Sequence, residues 1–290
     1  VDRRKFLKSL AGGIAGTGMT GFGGLFYGMR LETEWLEVTR VEIPVANLGS
    51  GFEGFRIALI SDFHLYPDTR LEFIKTVVEE AIKLKPDLVV LTGDFVQATA
   101  EAIWDLAPEL GKIDSTLGSF AVLGNHDHWK GPEVVVSGLK SAGIQVLHND
   151  GFPLQYSGSQ LFLAGVDDAW SGNPDLEAAM RKYQGDIPAL LLSHEPDPAD
   201  EYCKDPRICV QLSGHSHAGQ VRIPFGGSPF CPPYGEKYDM GLYRVGQAWL
   251  YTNRGIGVTV PIRINCRPEL TEVVLVRRDS TPVSSSFPGS

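Results

Sequence analysis

Two apolar runs joined by a helical stripe restrict the fold of this chain more than any other feature. "FRIALIS" (55–61) and "DLVVLTG" (87–93) have strand length and lack polar alternation, as expected of strands buried on both faces. Between them Leu71, Ile74, Val77, Val78, Ala81 and Ile82 recur at the spacing of one helix face, and Pro86 ends the pattern. Strand, helix and strand in this order make a β-α-β unit with a right-handed crossover. The alternation continues. Helices over 101–111 and 132–141 precede "SFAVLG" and "IQVLHN", and more strands are expected at 161–166, 189–194 and 209–214. "WLEVTRVEIPV" (35–45) reads as a strand ahead of this unit. Beyond residue 220 the helices stop: "GLYRVGQAWLYTN" reads as a hairpin and "LTEVVLVR" as a last strand. This pattern predicts an α/β fold of two packed sheets with helices outside. The body spans 35–278 without a repeat or linker, and "DSTPVSSSFPGS" (279–290) reads as a disordered tail.

The amino terminus follows different rules. Arg3, Arg4, Lys5 and Lys8 precede an uncharged, glycine-rich stretch from Ser9 to Met29, a basic region followed by an apolar one. Arg3-Arg4-Lys5-Phe6-Leu7-Lys8 resembles a twin-arginine export signal. Residues 1–30 are therefore expected to engage the twin-arginine machinery and to direct an extracytoplasmic, periplasmic or membrane-anchored location. "FYGMRLETEW" offers a signal peptidase little to recognise, so cleavage and retention as an anchor both stay open. The net charge of −9 argues against a nucleic-acid partner. It leaves phosphate chemistry open, because bound cations reverse a local field. Cys203, Cys209, Cys231 and Cys266 form no C-x-x-C pair. They read as free thiols or a disulfide rather than as a structural zinc site.

The polar residues of interest follow the buried strands. Asp62 and His64 come after "IALIS", Asp94 after "VVLTG", and Asn125 and His126 after "FAVLG"; His194 ends "ALLLS", and His215 and His217 follow "VQLSG". The carboxyl ends of strands are where α/β folds assemble sites. Imidazole, carboxylate and amide oxygen without thiolate suit Mn²⁺, Fe or Zn²⁺. These ligands exceed the need of one tetrahedral ion, which points to two ions sharing a carboxylate. In an extended segment residues two apart face the same side, so Asp62 with His64, and His215 with His217, are each expected to face one centre.

The ordered series Asp62-Phe-His64, Gly93-Asp94, Gly124-Asn125-His126-Asp127, His194 and Gly214-His215-Ser-His217 resembles the calcineurin-like metallophosphoesterase superfamily over roughly residues 55 to 275. The resemblance implies a four-layer α/β/β/α sandwich of two mixed sheets. It also implies two divalent ions, Mn²⁺ first, with Fe, Zn²⁺ or Mg²⁺ as alternatives. By motif, Asp62, His64 and His217 bind one ion, Asn125, His194 and His215 the other, and Asp94 bridges. The implied reaction is in-line attack of metal-bound hydroxide on a phosphoester, with His126 protonating the leaving oxygen or stabilising its charge. Where the serine/threonine protein phosphatases carry an Asp and an Arg, this chain has Gln97 and Ala98, which argues against that branch. Asp127 and the Asp167-Asp168 pair are then the candidates to orient His126. "SGHSHAGQVRIPFGG" and "SHEPD" resemble a bacterial branch holding exported phosphodiesterases and UDP-2,3-diacylglucosamine pyrophosphatases of lipid A synthesis. A phosphodiesterase acting on envelope or lipid-linked substrates is the leading expectation. The pyrophosphatase and a non-catalytic metal-binding scaffold are the alternatives. Asn253 and Arg254 are candidates to touch substrate phosphate, whereas His128 and His148 are read as non-ligands.

Overall fold

The computed structural model describes residues 26–278; the twin-arginine stretch and the tail at 279–290 lie outside the described residues. Among the described residues twelve strands form two six-stranded sheets. The first runs β1 (Glu37–Val45), β12 (Glu269–Arg277), β2 (Phe55–Ile60), β3 (Leu88–Leu91), β4 (Ser119–Ala121) and β5 (Ile144–Val146). The second runs β10 (Gly241–Val245), β11 (Ala248–Thr252), β9 (Ile208–Ser213), β8 (Ala189–Leu192), β7 (Ser159–Gly165) and β6 (Asp150–Tyr156). Both are mixed. β2 to β5 are parallel and β12 is antiparallel to β2; β7, β8, β9 and β11 are parallel, with β6 and β10 antiparallel at the edges.

Alternation along the buried strands divides the interior into three cores. Ile57, Leu59, Leu88 and Val90 face Leu190, Leu192, Val210 and Leu212 between the sheets. Their neighbours Ala58, Ile60, Val89 and Leu91 face outward, onto the helices Leu71–Leu84, Ile103–Leu110 and Pro132–Ser141. On the far side Phe162, Ala164, Ala189 and Leu191 pack with Ala179 and Ala199 of two short helices. Strands with both faces covered cannot show polar alternation, which is why their sequences read as continuous apolar runs. Each fully buried Leu, Ile or Phe side chain contributes about 1.5–3 kcal/mol. The helix Leu71–Leu84 buries Ile74, Val77, Val78 and Ala81 of the expected stripe together with Phe73, whereas Ile82 is exposed. It ends where Lys85 turns left-handed (φ 50°) before Pro86. The four-layer α/β/β/α arrangement expected from the motifs is the one observed.

Two elements carry no periodic signal. β6 holds Gly151 and Pro153, which is tolerated because β6 is a sheet edge. The helix Asn125–Lys130 consists largely of polar residues, because it carries part of the site. The late strands also do not form a simple meander. β10 and β11 extend the second sheet, whereas β12 returns to lie between β1 and β2.

Candidate metal centre

The parallel strands β2, β3 and β4 of one sheet and β8 and β9 of the other end at a common edge, where their next residues converge. Asp62, His64 and His217 offer ligand atoms within 4.8 Å of one another, and so do Asp94, His194 and His215. Asp94 links the two trios: its Oδ2 lies 3.4 Å from His64 Nε2 and 3.4 Å from His194 Nε2. Asp62 Oδ1 lies 3.3 Å from His217 Nε2, and the Asp62 carboxylate accepts the His215 amide hydrogen at 2.9 Å. All these side chains are buried.

Hydrogen bonds behind the ring nitrogens fix where the lone pairs point. His194 Nδ1 donates to the Thr92 carbonyl at 2.6 Å, which leaves a lone pair on Nε2. His215 Nε2 donates to the Pro233 carbonyl at 2.8 Å, which leaves one on Nδ1. These two lone-pair nitrogens stand 3.1 Å apart. In the other trio, His64 Nδ1 donates to Gln97 Oε1 at 2.7 Å, so its Nε2 lone pair faces His217 Nε2 at 2.9 Å. Lone pairs held this close repel unless a cation or a shared proton stands between them. Asn125 adds a buried Oδ1 that has no hydrogen-bond partner. Imidazole, carboxylate and amide donors in this arrangement fit two divalent ions of the Mn²⁺, Fe or Zn²⁺ kind.

At His64, His215, Asp62 and Asp94 the electrostatics favour the metal-binding protonation states. Burial alone would lower His194, but the Asp94 carboxylate raises it well above its ordinary value, so an ion there displaces a proton. Burial pushes His64 down to about 3 and His215 down to about 4, so both imidazoles are neutral near pH 7. Burial alone would raise Asp62 and Asp94, but the histidines facing them hold both carboxyls well below the usual range. Neutral imidazoles and ionised carboxylates are the forms that ligate cations.

The local backbone departs from the expectation of extended segments. Asp62, His64, Asp94, His215 and His217 all have φ between 43° and 69°, the left-handed region that side chains rarely occupy. The two-residue spacing therefore works through tight left-handed turns. Within each pair it has different outcomes: Asp62 and His64 serve one trio, while His215 and His217 part to opposite trios. A Cβ on Gly124 would stand 2.4 Å from Asp94 Oδ1, and one on Gly214 would stand 2.3 Å from Asp62 Oδ2. Only glycine lets the backbone come this close.

The trios open on a cleft of about 290 Å³ that Asp94, Asn125, His126 and His217 line at its base. His126 stands edge-on to His64, with ring centroids 4.7 Å apart, and rests on Trp129, which in turn meets Trp170. None of the three carboxylates expected to orient it does so. Asp127 accepts the backbone N–H groups of Asp94, Phe95, Val96 and Gly124, and thereby builds the loop that carries Asp94. Asp168 accepts from Trp170 and Ser171 amides, and Asp167 pairs with His128. Aromatic packing, rather than an acid, positions the His126 ring. Asn253 and Arg254 are not brought to the cleft. Asn253 donates to Glu269 O and Thr271 Oγ1, and Arg254 pairs with Glu37 and Glu269.

His128 and His148 lie outside both trios, around Asp167. The His128–Asp167 bond of 2.9 Å raises His128 above its ordinary value. Burial alone would raise Asp167, but hydrogen bonds from His128 and the Asn173 amide hold it at about 2. The stability gained by His128 is complete below its unfolded value and is lost as pH rises through the folded one. That of Asp167 is present above its unfolded value and is lost as pH falls toward 2. The pair thus contributes most between roughly pH 4 and 6.5. His128→Gln should lower Tm more near about pH 5.5 than near about pH 9; equal losses at the two pH values would show the pair to be uncharged.

Several site-building residues carry only weak signals in the sequence. Gln97 orients His64, and Gln220 ties the 259–262 loop through bonds to the Val260 and Ile262 carbonyls. Arg263 is fully buried, and its Nη2 reaches the carbonyls of Arg254, Gly255 and Gly257 at 3.0, 3.1 and 2.6 Å, directly behind His217. Arg263→Met would strand these carbonyls and should cost about 3 kcal/mol of stability. Thermal unfolding checks this, and an unchanged Tm would remove the clamp from the account. The signal that could have found Arg263 is a cation set in an uncharged stretch, "GIGVTVPIRINC". The four cysteines are free thiols.

Two lone-pair trios sharing a carboxylate, at the carboxyl edge of a two-sheet α/β sandwich, define a metal-dependent phosphoester hydrolase. The chain belongs to the calcineurin-like phosphoesterase family, whose model matches residues 55–219. It is 36% identical to the uncharacterized metallophosphoesterase YkuE of Bacillus subtilis, over 95% of this chain and 98% of that one. It is 34% identical to phosphodiesterase YaeI of Escherichia coli, over 95% and 100%. The UDP-2,3-diacylglucosamine pyrophosphatase LpxG of Chlamydia muridarum is 29% identical over 83% and 89%.

Proposed function

We propose that the chain is a phosphodiesterase that acts on envelope or lipid-linked phosphodiesters outside the cytoplasm. The observation that carries the hydrolytic part is the pair of trios joined by Asp94 and opening on a cleft with His126 at its base. In this reading Asp62, His64 and His217 would hold one ion, Asn125, His194 and His215 would hold the second, and Asp94 would be shared. Mn²⁺ is the first choice of metal on the basis of the donor set. When bound, the ions would supply Lewis acidity toward the phosphoryl oxygens and lower the pKa of bound water toward neutrality.

The chain's own residues do the rest. Trp170 lines the cleft and meets Trp129, which backs the His126 ring, and the His126 imidazole gives a proton to the departing oxygen. The extracytoplasmic address is supported by the Arg3-Arg4 stretch. No helix among the described residues is long and apolar enough to cross a membrane.

Similarity to LpxG supports a second reading, cleavage of the pyrophosphate bond of UDP-2,3-diacylglucosamine. One screen separates the two. Protein reconstituted with Mn²⁺ is expected to hydrolyse bis-p-nitrophenyl phosphate faster than p-nitrophenyl phosphate. Turnover of UDP-2,3-diacylglucosamine alone would select the second reading. No turnover of any of the three with two ions bound would select a binding scaffold.

A further inference from the structure

The most exposed apolar residues among those described stand beside the cleft. Phe225 is fully exposed, and Phe230, Ile223 and Val260 are 78%, 56% and 54% exposed. Phe230 and Val260 line the cleft, whereas Ile223 and Phe225 stand on the loop beyond it. Such a rim is unusual on a protein that meets only water. The same surface is where the amino-terminal segment arrives. The Gly28 carbonyl accepts the Arg263 N–H at 2.9 Å, and a Cβ on Gly28 would touch the Ile262 and Ile264 side chains. Ile264 is in turn bonded to Gln220 and Arg222, at the foot of the 221–230 loop. Phe26 and Leu31, each 54% exposed, extend the apolar surface toward the segment. The sequence before Phe26 carries no charge back to Ser9.

From this juxtaposition we infer that the cleft rim is a bilayer-docking surface. Ile223, Phe225, Phe230 and Val260 enter the headgroup region beside the amino-terminal segment, and the cleft receives the phosphoester headgroup of an amphiphile still seated in the membrane. A bilayer fits better than a protein partner, because 17 uncharged residues (Ser9 to Leu25) lead into the same patch. The net charge of −9 does not favour attraction to anionic headgroups, so apolar insertion is the main contribution. The docking is independent of the chemistry; the delivery of substrate rests on the phosphodiesterase reading.

The test uses the full chain, loaded with Mn²⁺, on vesicles of phosphatidylethanolamine and phosphatidylglycerol that carry a photoactivatable acyl chain. Labelled peptides are expected from 221–230 and 259–262 as well as from the stretch before residue 30. Label confined to that stretch, or absent altogether, overturns the docking surface. Ile223→Ser combined with Phe225→Ser should slow hydrolysis of a vesicle-borne p-nitrophenyl phospholipid about tenfold and leave bis-p-nitrophenyl phosphate in water unchanged. Equal loss on both substrates, or on neither, overturns substrate delivery. If the wild type hydrolyses no soluble diester, the phosphodiesterase reading fails, while the label still reports on docking.

Discussion

Asp94→Ala should abolish turnover and metal loading together. The Asp94 carboxylate is the one group near both trios, 3.4 Å from His64 Nε2 and from His194 Nε2. Without it, four imidazoles, Asp62 and Asn125 remain, and the sites no longer share a negative charge that offsets two dications held close together. Loss of the shared ligand removes several kcal/mol of charge stabilisation, so bis-p-nitrophenyl phosphate hydrolysis should fall by about 10³-fold or more. Metal analysis of the purified variant should find fewer than two ions per chain. The fold should survive, because burying one carboxylate fewer offsets the hydrogen bond that Asp94 Oδ1 accepts from the His126 amide at 2.8 Å. Asp94→Asn can still accept that bond and acts as the control for folding. Two ions retained in Asp94→Ala would sink the shared-ligand assignment.

The parts of this molecule that were legible in its sequence are those governed by burial. β2, β3, β8 and β9 are covered on both faces, so their apolar runs are unbroken, and the helix Leu71–Leu84 is covered on one, so its stripe is periodic. The ligands were legible because they occupy the first residues after those strands. The edge strand β6 was not, because Gly151 and Pro153 satisfy no pattern and are tolerated only where a ladder is left unpaired. Nor was the left-handed backbone at Asp62, His64, His215 and His217, since no side chain announces a positive φ other than glycine. Contacts over long separations were equally hidden. Gln97 behind His64 and Arg263 behind His217 act through folding that brings distant segments together. The three carboxylates proposed from sequence to orient His126 instead hold backbone amides and His128, a distinction that only three-dimensional placement supplies.

His126→Asn should show a penalty that depends on what leaves. The ring lines the cleft beside Asp94 and Asn125, stands within ligand distance of His64 and Asp94 in a third group beside the two trios, and has a buried Nδ1 without a partner. A proton donor matters in proportion to the basicity of the leaving oxygen. With p-nitrophenolate, which departs readily without a proton, the variant should lose about tenfold or less; with an alkyl diester it should lose about 10³-fold. Burial lowers the imidazole pKa, and His217 and His194 add to that effect against Asp94 and Asp62. A donor with a lowered pKa gives up its proton sooner as pH rises. Wild-type turnover of alkyl diesters should therefore decline at lower pH than turnover of p-nitrophenyl diesters, and this difference should vanish in His126→Asn. Metal content should stay at two ions, which separates the role from that of a ligand. Equal losses for both leaving groups would assign His126 to charge stabilisation at phosphorus instead. An intact rate on the alkyl diester would leave Trp129, and the aromatic wall it forms with Trp170, without a catalytic ring to position.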